Sequence, residues 1–253
     1  MVNHKKTTCA QLLRRSVRAS ALATLGLIMA TSSALSAPNR IAVMSLIGDK
    51  LEVVYPQMAT GSRLDQNIRH AIDDRAGEMD RFTLAAAEQE IAAVDPAISS
   101  TLISMRRSTL HDRPDQLFDG KQAVLPGAVV DELLRVQAQY LLLITKHRDE
   151  VQLAFTNTRT GVGYVRGLGF YIDEHTRVQT GGTGEVADGL LAPFAYFRLS
   201  LVDVQTGLRV REQKVTLMQV LPVAGRAGVK EPWNVLDAKQ KVAFIEDLIK
   251  RGL

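Results

Sequence analysis

The chain has 253 residues, 46% hydrophobic and 23% charged, enough for one domain of ordinary size or two small ones. Its 31 Lys and Arg against 27 Asp and Glu suggest a basic protein, yet Lys5, Lys6, Arg14, Arg15 and Arg18 precede residue 37 with no acid among them, and without those five the balance is 26 against 27. A nearly neutral remainder removes the charge argument for a nucleic-acid partner, and with no polybasic run there is none for an anionic lipid surface.

Residues 1–36 have the anatomy of a secretory signal peptide: a basic end, an uncharged apolar run from Ala21 to Ala30, and small residues through Ser36 and Ala37. Ala34 and Ser36 fit the two small-residue positions of a cleavage site, and Arg14-Arg15 is followed by a poor twin-arginine pattern, which favours the ordinary export route. The expected location is periplasmic or secreted. Cys9, the sole cysteine, lies in this leader, so residues 37–253 lack both a lipidation site and disulfides. No later apolar stretch approaches the 18 or so residues that cross a bilayer, so no membrane span is expected after the leader.

Residues 37–253 read as a single α/β domain. Arg40 to Ile47 and Leu51 to Tyr55 are β-rich runs around Gly48-Asp49-Lys50, which reads as a hairpin. From Ser62 to Val94 the composition turns helical, with Asp80 as a cap and Asp95-Pro96 as the stop. Ala97 to Met105 reads as a strand and Arg107 to Gly120 as loop. Pro126-Gly127 opens a helix to about Val136, with Val129, Val130, Leu133 and Leu134 at core-facing spacings. Tyr140 to Ile144 is apolar without alternation, the mark of a strand covered on both faces, and is expected at the centre of the sheet.

Val162 to Ile172, carrying Gly163, Gly167 and Gly169, reads as a bent or bulged strand. Gly181-Gly182-Thr183-Gly184 is a flexible connection, Pro193 to Val204 a further strand with Phe197, Leu199 and Leu201 on one face, and Gln205-Thr206-Gly207 a turn. Leu208 to Val220 completes a long C-terminal hairpin with a bulge expected near Glu212. A final amphipathic helix starts at a capping box, Asp237 with Gln240, and buries Val242, Ile245, Leu248 and Ile249. The expected architecture is a mixed sheet with helices packed on it.

Three stretches in order carry a resemblance: Arg40-Ile41-Ala42-Val43, Ala138-Gln139-Tyr140-Leu141-Leu142-Leu143, and Leu199 through Gly207. Together they resemble bacterial envelope proteins with the fold shared by the curli secretion component, the lipoprotein activators of penicillin-binding proteins and the N-terminal domain of TolB. The resemblance implies an α/β adaptor that presents its surface to other envelope proteins and carries no active site. It does not extend to a lipidated cysteine or to pore-forming hairpins, which this chain lacks, and Gly161 to Gly189 has no counterpart in it.

Catalytic spacings are missing from the sequence: no Gly-x-Ser-x-Gly elbow, Ser-x-x-Lys pair, His-Glu-x-x-His helix or Gly-Lys-Ser/Thr phosphate loop. Four histidines remain beyond the leader, His70, His111, His147 and His175. On an extended strand Asp173 and His175 leave the same face and could share a metal or pair as orienter and base, the basis for a metal-assisted hydrolase as an alternative reading. Asp112, Asp149 and Glu150 offer further oxygen ligands near His111 and His147. The preferred reading is a non-enzymatic adaptor without a cofactor that binds another envelope protein, with Tyr171, Phe194 and Tyr196 as exposed contacts and Gly182 at a mobile tip. Trp233 reads as core, and a small-ligand carrier with a pocket over the central sheet is the third reading.

Overall fold

A computed structural model describes residues 40–57, 65–106, 109–154, 159–179 and 184–253. The signal-peptide reading of residues 1–36 and the Gly182 tip lie outside the described residues. In chain order the strands are β1 (Arg40–Leu46), β2 (Lys50–Tyr55), β3 (Ile68–Asp73), β4 (Ser99–Ile103), β5 (Phe118–Asp119), β6 (Gln122–Ala123), β7 (Tyr140–Lys146), β8 (Arg148–Glu150), β9 (Leu153–Ala154), β10 (Arg159–Thr160), β11 (Tyr164–Gln179), β12 (Val186–Asp203), β13 (Arg209–Met218) and β14 (Leu221–Pro222). The helices are α1 (Glu78–Val94), α2 (Thr109–Asp112), α3 (Gly127–Arg135) and α4 (Ala238–Gly252).

Ten strands form one mixed sheet in the order β3-β2-β11-β12-β7-β1-β4, with β13 and β14 also on β12 and β8 on β11; β5-β6 and β9-β10 are separate ribbons. The mixed α/β class read from the sequence holds. The long strand β12 organises it. Its last residues pair with β7, Phe197 opposite Lys146, and its earlier residues pair with β11, Tyr196 opposite Gly167. β7 and β11 therefore follow one another along the same side of β12, both antiparallel to it. The Gly167 amide donates to the His147 carbonyl at 3.3 Å where the two ends meet.

The next row repeats this arrangement. β1 runs parallel to β7 and β2 runs parallel to β11, so β1 and β2 lie end to end and do not form the expected hairpin. Gly48 sits at the break for close approach, since a Cβ there would meet the Asp80 amide nitrogen at 2.3 Å in the first turn of α1. A second correction concerns residues 68–73, where a helical composition gives way to β3, paired antiparallel with β2.

One face of the sheet is covered by α1 and α4, which bury Ile41, Val43, Leu142, Ile144, Phe170, Phe197 and Leu199 with Ile91, Ile245, Leu248 and Ile249. The other face is covered in two parts. Val129 and Leu133 of α3 lie over Ala42, Met44, Leu141 and Leu143, while Val151 and Leu153, which follow β8, lie over Tyr171, Phe194 and Tyr196. Val130 and Leu134, expected inward, are exposed at 39% and 65%, so only one side of the α3 turn reaches the core. In α4 the capping box forms, Asp237 accepting from the Gln240 amide at 2.7 Å, and Val242 alone of the expected stripe is exposed. The bulge expected near Glu212 is present: the β12–β13 ladder shifts between Leu201 and Val202, leaving Val210 as the extra residue. Trp233 packs edge-on to Phe170 at 5.5 Å with Lys241 over its ring, a core role. Among the described residues no helix is long and apolar enough to cross a membrane.

Candidate functional site

The break between β1 and β2 gathers a cluster of buried polar groups, Ser45, Asp49, Asp80, His111 and Lys146. Amides leaving a strand need acceptors, and here a side chain supplies one. Asp80, in the first turn of α1, accepts through Oδ1 from the Ile47 and Gly48 amides at 3.1 and 3.0 Å and from Ser45 Oγ at 2.5 Å. Its other oxygen lies 3.2 Å from His111 Nε2, and all of these side chains are buried. The aspartate read as the cap of α1 is thus a clasp between that helix and the end of β1. His111 turns to Asp80, not to its neighbour Asp112.

Beside the clasp, Lys146 Nζ, from the end of β7, donates to Asp49 Oδ1, and both residues are buried. Burial pulls the lysine below its ordinary value, against Asp49, whose hydrogen bond and charge favour the charged form. Removing one partner of such a pair strands a buried charge at a cost of about 3–5 kcal/mol. Gly167 takes a φ of +70°, and a Cβ there would lie 3.1 Å from the lysine stem, so the seam between β7 and β11 is built around this side chain. At the surface Lys50 donates to Asp112 Oδ1 at 2.6 Å, which holds that carboxyl low, and Arg166 donates to the Asp112 carbonyl at 2.5 Å.

A cleft of about 660 Å³ opens over this cluster, with Asp49, Asp80 and His111 in its wall. It lies beyond the carboxyl ends of the parallel strands β1 and β4, the place where open α/β sheets commonly hold ligands. Ser104, Met105 and Arg106, just after β4, and Asp74, Arg75 and Arg81, around the start of α1, complete it.

The second surface is β3. It ends the sheet, all six of its residues are exposed, and Ile68 and Ile72 are each 45% accessible. Ile68, His70 and Ile72 stand opposite Tyr55, Val53 and Leu51, whose side chains join the apolar layer under the helices. Among the described residues nothing covers this continuation of the core face. On the opposite side Arg69 donates to Asp65 Oδ2 at 2.5 Å, and Arg148 donates to the same oxygen at 2.9 Å, tying β8 to the start of β3. Burial works against ionisation of Asp65, but the two guanidiniums outweigh it and hold the carboxyl low.

The residues expected to act fall elsewhere. Tyr171, Phe194 and Tyr196 are not exposed contacts: all three are fully buried, packed with Val151 and Leu153. The Tyr171 hydroxyl accepts from the Val162 amide at 3.3 Å, Tyr196 donates to the Glu150 carbonyl at 3.3 Å, and burial pushes Tyr171 up to about 12. Asp173 and His175 do not share a regular strand face, because Glu174, His175 and Thr176 of β11 oppose the single residue Gly189 of β12 between the pairs Asp173–Leu190 and Arg177–Asp188. Asp173 closes that bulge, accepting from the His175 and Thr176 amides at 2.8 Å each and from Thr176 Oγ1 at 2.6 Å. Among the described residues no three His, Cys, Asp or Glu side chains converge as a metal site. Lys146 and Asp49 escape a sequence reading because each looks like the polar end of an apolar run. Only their pairing across 97 positions makes a site of them.

No protein-family model matches the chain, and no curated protein does. Among solved structures, a neuraminyllactose-binding hemagglutinin homolog from Helicobacter pylori is similar at 10% identity and a TM-score of 0.35, over 85% of this chain and 78% of that one. The LpoB C-terminal domain from Salmonella enterica is similar at 14% identity and a TM-score of 0.26, over 85% and 100%. The hypothetical protein CT253 from Chlamydia trachomatis gives 11% identity and a TM-score of 0.19, over 84% and 98%. Likenesses this distant show no family for the chain and carry no functional argument.

Proposed function

We propose that the chain is an exported, non-enzymatic envelope protein that acts as an adaptor, receiving an extended segment of another envelope protein as an added strand along β3. The export half rests on the leader-like residues 1–36. The observation that carries the binding half is β3 itself, a sheet end with every residue exposed and Ile68 and Ile72 on the rim of the apolar layer. An outer strand offers unpaired backbone donors and acceptors, which another strand matches best, and alternate apolar side chains on that strand would extend the stripe of Leu51, Tyr55, Ile68 and Ile72. The metal-assisted alternative is weakened because the Asp173 carboxylate is already engaged in holding its own bulge.

A photo-crosslinking residue at Ile72, introduced into the full chain in cells, tests the reading. The expected result is a crosslink to one envelope protein at a segment of alternating apolar residues. Ile68→Lys with a native Ile72 probe weakens that crosslink by about tenfold or more, since charge on an outer strand opposes strand addition. Crosslinks only to a second copy of this chain, none at all, or one indifferent to Ile68→Lys would each overturn it.

A further inference from the structure

The charges around the cleft divide into two kinds. Its acids are engaged within the protein: Asp49 by Lys146, Asp80 by Ser45 and the Ile47 and Gly48 amides, and Asp74 by the Met79 amide at 2.8 Å. Its three arginines are not. Arg75, Arg81 and Arg106 line the same cleft, all three are exposed, and among the described residues none of their guanidiniums has an ion-pair or hydrogen-bond partner. Arg75 and Arg81 flank the start of α1 and Arg106 follows β4, so two separate parts of the fold bring the cations to one opening.

We infer that this cleft is a binding site for a small polyanion, a ligand whose carboxylate or phosphate groups are gripped by Arg75, Arg81 and Arg106. A guanidinium is a planar fork of donors that never loses its charge and matches both oxyanions in paired hydrogen bonds. The cleft volume of about 660 Å³ suits a metabolite-sized molecule rather than a bare ion. Met105, half-buried beside the arginines, offers an apolar contact for its uncharged part. The engaged acids set the inner wall, so the ligand's charge stays at the arginine rim, where water screens it and added salt weakens binding. The site is separate from β3 and stands whether or not a strand adds there.

The test is calorimetric titration of the full protein with pyrophosphate and, separately, with citrate, each against sodium chloride at matched ionic strength. The triple variant Arg75→Gln, Arg81→Gln, Arg106→Gln is the comparison, with Arg135→Gln, on exposed α3, as control. Saturable binding of pyrophosphate alone assigns a phosphate ligand, of citrate alone a carboxylate ligand, and of both a site that reads charge and shape without distinguishing them. Any of the three supports the inference provided that the triple variant loses about tenfold or more in affinity while Arg135→Gln does not. Unchanged circular dichroism in the triple variant assigns the loss to the cleft rather than to misfolding. No saturation with either probe up to about 10 mM, or equal affinity in the triple variant, would overturn it.

Discussion

Glu52 lies on β2 with Arg69 of β3 at 3.9 Å, and its side chain is mostly buried. Burial raises its carboxyl above the ordinary value of 4.5, against the opposing charges of Arg69, Lys146, Lys50 and Arg166. Between 4.5 and that raised value the folded protein keeps a proton that the unfolded chain has released. Its contribution to stability is therefore full below 4.5 and lost as pH climbs through the folded value. Asp65 and Asp112, held low by their cationic partners, act in the opposite sense, so only a comparison isolates Glu52. Urea midpoints from about pH 4 to about pH 7 should rise more steeply in Glu52→Gln than in the parent, because the variant lacks this one falling term. Parallel profiles would show that Glu52 does not retain the proton.

At the scale of elements, Gly48 separates two accounts of the β1–β2 connection. In a hairpin the glycine supplies unusual backbone angles, which asparagine partly reproduces, so Gly48→Asn would be milder than Gly48→Ala. In the end-to-end arrangement the glycine admits the backbone of α1, and any side chain collides with the Asp80 amide. Gly48→Ala is then expected to cost at least about 1–3 kcal/mol in urea unfolding, and Gly48→Asn more. The reverse order would restore the hairpin account. This connection also shows what a sequence makes legible. Local signals identified β7 from its unbroken apolar run, α4 from Asp237 and Gln240, and the 205–207 turn, because propensity, period and capping act within a few residues. The β1–β2 pairing, the burial of Tyr171, Phe194 and Tyr196, and the Asp49–Lys146 pair depend on which distant segments meet. The uninterrupted apolar run from Leu190 to Phe197 did carry a trace of the second of these, since a strand facing water on one side would alternate.

At the scale of the molecule, β12 joins two differently covered regions. Its C-terminal part belongs with β7, β1 and β4, roofed by α3, and its N-terminal part belongs with β11 and β2, roofed by Val151 and Leu153. On the opposite face both regions share the layer beneath α1 and α4. Because Val151 and Leu153 cover this region from outside the β12 ladders, their cover is open to separate loss while the strands beneath stay paired. Leu153, buried in that cover against the aromatic cluster, is the place to loosen it. Leu153→Ala removes buried apolar volume at a cost of about 2–5 kcal/mol. Hydrogen exchange is expected to accelerate in β8, the start of β11 and residues 190–196, while β1 and β7 keep the parent's protection. Equal acceleration across β1, β7 and β11 would instead mean that the shared helix layer locks both regions into one cooperative unit, with the Val151 and Leu153 cover an inseparable part of the core.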